Sequence, residues 1–181
     1  MLTADEILSA LTEYGVLTPV ELQAAQELFP DQQWPGDAGV LLEVLYRSGR
    51  ITQFQAQTLY KGQGASLLLG DYVLLDRLGA GGMGQVFKAR HRRMKREVAL
   101  KVLPPAVQQD PELIARFQRE VEAAAKLTHP HVVTAYDAGE HNGVHYLVTE
   151  YVDGCDLAEL ITQRGPIPPQ WAIELVAQAA S

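Results

Sequence analysis

Only one of the 181 residues is a cysteine, Cys155, so no internal disulfide can brace this chain, and a reducing compartment suits it. Basic residues are in deficit: 15 Lys and Arg against 22 Asp and Glu leave a net charge of −7. That balance argues against nucleic acid as a partner. It is uneven, with 8 acids and 3 bases in residues 1–70 and 14 acids and 12 bases in 71–181. No window approaches the run of about 18 apolar residues that a membrane helix needs. The opening MLTADEILSA has neither the basic start nor the apolar run of a secretory leader, so a cytoplasmic chain is expected. Four of the histidines, at 129, 131, 141 and 145, lack the cysteine or carboxylate spacing of a metal site, and no metal ligands are assigned. What is present suffices for a core: 47% of residues are hydrophobic and 20% charged, in a length that suits one domain or two small ones.

Residues 1–65 read as helices with an internal echo. Leu11-x-x-x-Gly15-x-Leu17-Thr18-x-x-Glu21 recurs as Leu45-x-x-x-Gly49-x-Ile51-Thr52-x-x-Gln55, a shift of 34. In each copy a helix stops at a glycine suited to the left-handed position after a helix end. A new helix then opens at a threonine followed three residues later by Glu or Gln, which is a capping box. Pro19 suits the first helical position. The spacing predicts helices over 3–14, 19–28, 37–48 and 53–61, sharing a core of Leu8, Leu11, Leu22, Leu28, Leu41, Leu42, Leu45, Phe54 and Leu59. Two copies are too few for a solenoid, so one compact helical domain is expected over 1–65, as a cap or as a docking or dimerisation module. The Gly- and Ser-containing KGQGAS stretch and the residues up to 71 read as a linker.

The rest of the chain is organised around 71–101, DYVLLDRLGAGGMGQVFKARHRRMKREVALK. Two apolar-alternating runs flank a loop with spaced glycines, Gly79, Gly81 and Gly84, and a third run ends at Lys101. Glycine lets backbone N–H groups approach an anion closely. A dinucleotide-binding loop would open a helix, and here Val86 and Phe87 continue a strand pattern instead. The basic run Arg90, Arg92, Arg93, Lys95 and Arg96 reads as a solvated hairpin loop or a contact for an acidic partner. Asp110-Pro111-Glu112 opens a helix running to about Leu127. Leu113, Phe117, Glu120, Ala124 and Leu127 share one face of it, so Glu120 lies within the inward stripe. An inward carboxylate needs a cation, and a strand lysine needs an anion; Lys101 and Glu120 are the candidates. Glu122, about 200° away around the helix, is the poorer choice. Val132–Ala138 and Val144–Tyr151 pair through Asn142-Gly143, a hairpin signal.

The conjunction of strand, glycine loop, strand and Val98-Ala99-Leu100-Lys101 resembles the nucleotide-binding lobe of protein kinases, most closely the bacterial eukaryotic-type serine/threonine kinases. The resemblance implies an α+β fold: a five-stranded antiparallel N-lobe sheet with one main helix over 72–152, then the hinge exit and first helices of a truncated C-lobe over 153–181. It implies ATP as cofactor, held by Leu78, Gly79, Ala80, Gly81, Gly82, Met83 and Gly84 over the phosphates. Val86 and Ala99 would pack on one face of the adenine. Thr149 takes the gatekeeper position, and the main chain of Glu150 and Val152 would meet the adenine edge. Lys101 would touch the α- and β-phosphates, oriented by Glu120. Asp156 matches an acidic ribose contact, and equally a helix N-cap for 157–163.

No H-R-D-x-x-x-x-N and no D-F-G occurs among these residues, so the family's catalytic aspartate and Mg²⁺ ligands are lacking. General-base help alone contributes about 10²–10⁴ in rate. The 181 residues alone are therefore expected to be inactive in transferring the ATP γ-phosphate to protein Ser/Thr, and a front part of a longer kinase competes with a non-catalytic nucleotide-binding or dimerisation module. Protein substrate would be met through the missing lobe. Apolar residues of 157–180, among them Leu157, Leu160, Ile161, Trp171, Ile173, Leu175 and Val176, should dock on residues 1–65 or on a second copy.

Overall fold

The computed structural model describes residues 2–81, 84–103 and 110–180. Four helices come first: α1 (Ala4–Glu13), α2 (Pro19–Gln26), α3 (Ala38–Arg47) and α4 (Gln53–Tyr60). Local chemistry sets their ends. Thr3, Thr18 and Thr52 each accept a hydrogen bond from the backbone N–H three residues on, while the side-chain oxygens of Glu6, Glu21 and Gln55 accept one from the threonine N–H. Asp37 caps α3 through Val40 N–H at 2.9 Å. Gly15 and Gly49, at φ of 69° and 70°, take the left-handed turn after α1 and α3, where a side chain would be strained.

The segment expected as a linker has a different character. Gly64–Leu67 forms a 3₁₀ turn and Leu68–Leu69 a short strand, β1, paired to β2 (Tyr72–Gly81). Gly64 serves contact rather than flexibility: a Cβ there would lie 2.9 Å from the Tyr14 ring. The sheet continues through β3 (Gly84–His91), β4 (Glu97–Val102), β5 (Ala135–His141) and β6 (Val144–Glu150), in the spatial order β1-β2-β3-β4-β6-β5. It is antiparallel and, among the described residues, has six strands; the addition to the expected five is β1. Asn142 and Gly143, both at positive φ, make the tight β5–β6 turn.

Cross-strand partners share a face of a sheet. Val86, Lys101 and Leu147 stand in one row, and Lys88, Ala99 and Thr149 in the next, on what we term the front. The long helix α5 (Pro111–Lys126) lies there, with Phe117, Leu103 and Leu147 as a small buried cluster. The expected stripe on α5 is displaced: Leu127 caps the helix in extended conformation and is 53% exposed, while Ile114 and Val121 join Phe117. On the back of the sheet, Phe87, Ala89, Val98, Leu100 and Val148 form one continuous core with Ile7, Leu11, Leu41, Leu45 and Leu59. Leu28, expected in the core, is exposed, and Val16, Leu17 and Ile51 from the turns are buried instead. The helical unit is thus a layer laid directly on the sheet. Two helices follow β6, α6 (Leu157–Arg164) and α7 (Pro169–Ala179), and neither contains a buried residue. The expected docking of these helices on residues 1–65 is not seen: Trp171, Ile173 and Val176 are all more than half exposed.

Candidate functional site

The front face gathers most of the residues singled out from the sequence. β2 and β3 run as a hairpin whose tip carries the glycines, with Gly79 opposite Val86, Ala80 opposite Gln85 and Gly81 opposite Gly84. Gly82 and Met83, also assigned to this flap, lie outside the described residues. A Cβ built on Gly79 would meet nothing within 4 Å. Leu78, at the root of the flap, is 46% exposed. Gly84 has φ of 145°, a conformation glycine adopts without strain.

Behind the flap, Val86 is paired with Lys101 across β3 and β4. The Lys101 Nζ lies 2.5 Å from Glu120 Oε1, joining the strand to α5. Helical geometry aims Glu120 inward between Phe117 and Ala124, and Asp110 fixes the start of α5 by accepting from Glu112 N–H at 2.9 Å. The other oxygen, Glu120 Oε2, is buried and takes no hydrogen bond among the described residues. An ammonium has three donors, and Glu120 uses one of those on Lys101. Ala99 sits beside Thr149 on β6, both half-buried.

The chain leaves the sheet at Glu150. Its N–H donates to Thr134 O at 2.9 Å, and its carbonyl faces the Thr149 hydroxyl at 3.4 Å. Val152 is 60% exposed, and its main chain takes no partner among the described residues. Asp156 caps α6, with Oδ1 accepting from Glu159 N–H at 2.8 Å. Among the described residues, no hydrogen bond joins Asp156 to another of the assigned residues.

Lys88, missed in the sequence reading, ties this exit to the sheet. Its ammonium is 2.9 Å from Glu97 and 4.4 Å from the centre of the Tyr151 ring. The hydrogen bond to Glu97 holds Lys88 above the ordinary lysine value, with burial opposing and the Glu97 charge adding to it. The signal was available, since Lys88 is two residues from Val86 and shares its face. Among the described residues no cluster of three His, Cys, Asp or Glu side chains could hold a metal ion.

These features have counterparts in known proteins. The protein kinase domain model matches residues 72–181. The serine/threonine-protein kinase PknB of Mycobacterium leprae is 47% identical over 112 residues, covering 60% of this chain and 18% of that protein. PrkC of Bacillus subtilis is 42% identical over 112 residues, covering 62% and 17%. This chain therefore spans about a fifth of the length of the relatives it matches. Among solved structures, the Mycobacterium tuberculosis PknI kinase domain superposes with a TM-score of 0.52 at 37% identity, covering 61% of this chain and 46% of that one. With the family's model spanning more than half of its residues and its glycine hairpin, strand lysine and helix glutamate in one place, this chain belongs to the protein kinase domain family.

Proposed function

We propose that residues 72–152 form the ATP-binding lobe of a serine/threonine protein kinase, and that the observation carrying this reading is the Lys101–Glu120 contact at 2.5 Å beside a glycine hairpin. The residues present fit the nucleotide. Lys101 keeps donors for phosphate oxygens, and Glu120 holds its ammonium against α5. Backbone N–H groups of the flap, over Leu78 to Gly81 and at Gly84, approach the phosphates where side chains would intrude. The adenine lies against Val86 and Ala99 beside Thr149. Its edge is met by the open main chain of Val152 and the carbonyl of Glu150. Asp156, whose Oδ1 caps α6, is the acidic residue that family likeness assigns to the ribose. The bound ATP supplies the phosphoryl group for transfer. Mg²⁺, which the family uses with ATP, finds no ligand cluster among the described residues, so no step is assigned through it.

Residues 1–181 contain no H-R-D and no D-F-G, so transfer to protein Ser/Thr requires groups these residues do not supply. The test is an ATP titration of the 181-residue chain beside Lys101→Met. The wild-type chain should bind, and the variant should bind about tenfold more weakly or worse, the loss of one charge-assisted contact. Equal affinities would overturn the assignment of Lys101. With radiolabelled ATP the chain should show no turnover, and turnover that depends on Lys101 would overturn its inactivity.

A second reading rests on α6 and α7. Leu157, Ile161, Trp171, Ile173 and Val176 expose apolar surface of the kind that marks interfaces. Under this reading the chain pairs with a second copy through 157–180, or through residues 1–65, and acts as an interaction module. The lone exposed Cys155 suits a cytoplasmic setting. Light scattering separates the readings, since a strictly monomeric species at high concentration removes the dimer.

A further inference from the structure

Three capping boxes open helices in the first 60 residues, and they differ in one atom. Thr3 pairs with Glu6 and Thr18 with Glu21, but Thr52 pairs with Gln55. A cap needs only an acceptor, which Glu and Gln both provide. Gln55 is 2% exposed, and its amide has two uses. Its Oε1 accepts from Thr52 N–H at 3.0 Å, and its Nε2 donates to the carbonyl of Leu74 at 2.9 Å. The Thr52 hydroxyl donates in turn to the carbonyl of Leu75. A carboxylate has no proton to donate and could not serve Leu74.

Leu74 and Leu75 sit where β2 is irregular. The pairing to β3 shifts register between Leu74 and Asp76, and again between Arg77 and Gly79. Such bulges bend and twist a strand and leave backbone groups unpaired. From Leu74 to Gly79 is five residues, roughly 17 Å along a strand. A change of about 10° in the bend would move a tip that distant by roughly 3 Å. Phe54, adjacent in α4, packs against Phe87 on β3 with ring centres 5.8 Å apart, so both strands of the flap are gripped from behind.

We propose that Gln55, with Thr52, is a positioning residue for the nucleotide site: by bonding the carbonyls of the β2 bulge, the N-terminal helical unit sets where the glycine flap lies over the phosphates. The inference rests on the ATP reading above and assigns residues 1–60 a part in it. Gln55→Glu keeps the cap and removes the donor. It should bind ATP severalfold and at most about tenfold more weakly than wild type, the ceiling being the one buried hydrogen bond that no longer holds the flap in its binding position. Adenosine, which has no phosphates under the flap, should bind both equally. A role in stability alone would alter both ligands together or neither.

The deciding experiment measures ATP and adenosine affinities of wild type, Gln55→Glu and Lys101→Met. It adds amide hydrogen exchange over 77–81 and 84–87 without ligand, where the variant should exchange faster and wild type slower. If wild type fails to bind ATP, or Lys101→Met binds like wild type, the ATP reading falls; the exchange data still judge the grip on the flap. A folded Gln55→Glu chain with wild-type ATP affinity or wild-type exchange overturns the proposal. Should Gln55→Glu not fold, Gln55→Met, of similar volume and also without a donor, takes its place with the same expected outcomes.

Discussion

Behind the sheet, Leu100 and Val148 are fully buried against helices of the first 60 residues. In front, Lys101 and Thr149, one residue along the same two strands, are only half-buried. The alternation of a strand places the two sets in different solvents. The back is a dry helix-on-sheet interface with a continuous core. The front has one amphipathic helix with a single buried residue, Phe117, and a charged pair beside it. Stability is therefore concentrated on the face that carries no candidate chemistry, which leaves the other free to hold a lysine and a flap of glycines.

The largest expected effect tests this division. Leu100→Ala removes a fully buried side chain and should cost about 3 kcal/mol in urea unfolding, through lost transfer energy and the cavity left behind. Val86→Ala, on the front of the neighbouring strand and half-buried, should cost no more than about 1 kcal/mol. Equal losses would mean that the faces share the load and the contrast is false.

The next effect runs the opposite way. Glu120→Gln weakens the pair with Lys101, whose side chains are 23% and 35% exposed for the lysine and the glutamate. Solvent screens a pair so placed, and unfolding should shift by less than about 1 kcal/mol. ATP affinity should fall severalfold, because the ammonium is no longer held by a full charge. A variant with a large stability loss and unchanged affinity would make the pair structural and shift the front face into the same class as the back.

The sequence exposed these two faces unequally. The caps, the glycine stops and the Asn142-Gly143 turn are local, each decided within four residues, and they stand where the pattern put them. The approach of Lys101 and Glu120 could also be foreseen, because a helix of known phase carries Glu120 and a strand of known phase carries Lys101. The back-face interface could not. Its contacts join residues far apart, Gln55 to Leu74, Arg90 to Val16, Phe54 to Phe87, and such pairs leave no period in the sequence. Gly64 was misleading for a physical reason: the residue that loosens a linker is also the residue that fits against an aromatic ring. One trace of the interface was present, the Gln in place of Glu in the third capping box, and it acquires meaning only once Leu74 is beside it.

The smallest effect compares the two related helical hairpins. Glu21 and Gln55 occupy the same place in their capping boxes, but only Glu21 titrates. Burial acts to raise Glu21, and it is outweighed by the hydrogen bonds from the Thr18 N–H and hydroxyl, with Arg90 and Lys95 nearby, so its carboxyl stays below the ordinary value of 4.5. A carboxyl depressed in the folded state contributes stability above its unfolded value, and that contribution is lost as pH falls through the folded one. Glu21→Gln keeps an acceptor for the cap but has no proton to gain. Near neutral pH the wild-type chain should melt slightly higher, by no more than about 2 °C given the partial exposure of the group. The gap should close as the pH drops below 4.5. Glu6, held down first by the Thr3 backbone N–H and next by its hydroxyl, titrates in the same window in both proteins and so cancels in the difference. A gap that persists unchanged through the acid range would show that the charge of Glu21 is irrelevant to the cap, and that the two hairpins differ only in what Gln55 gives to the sheet.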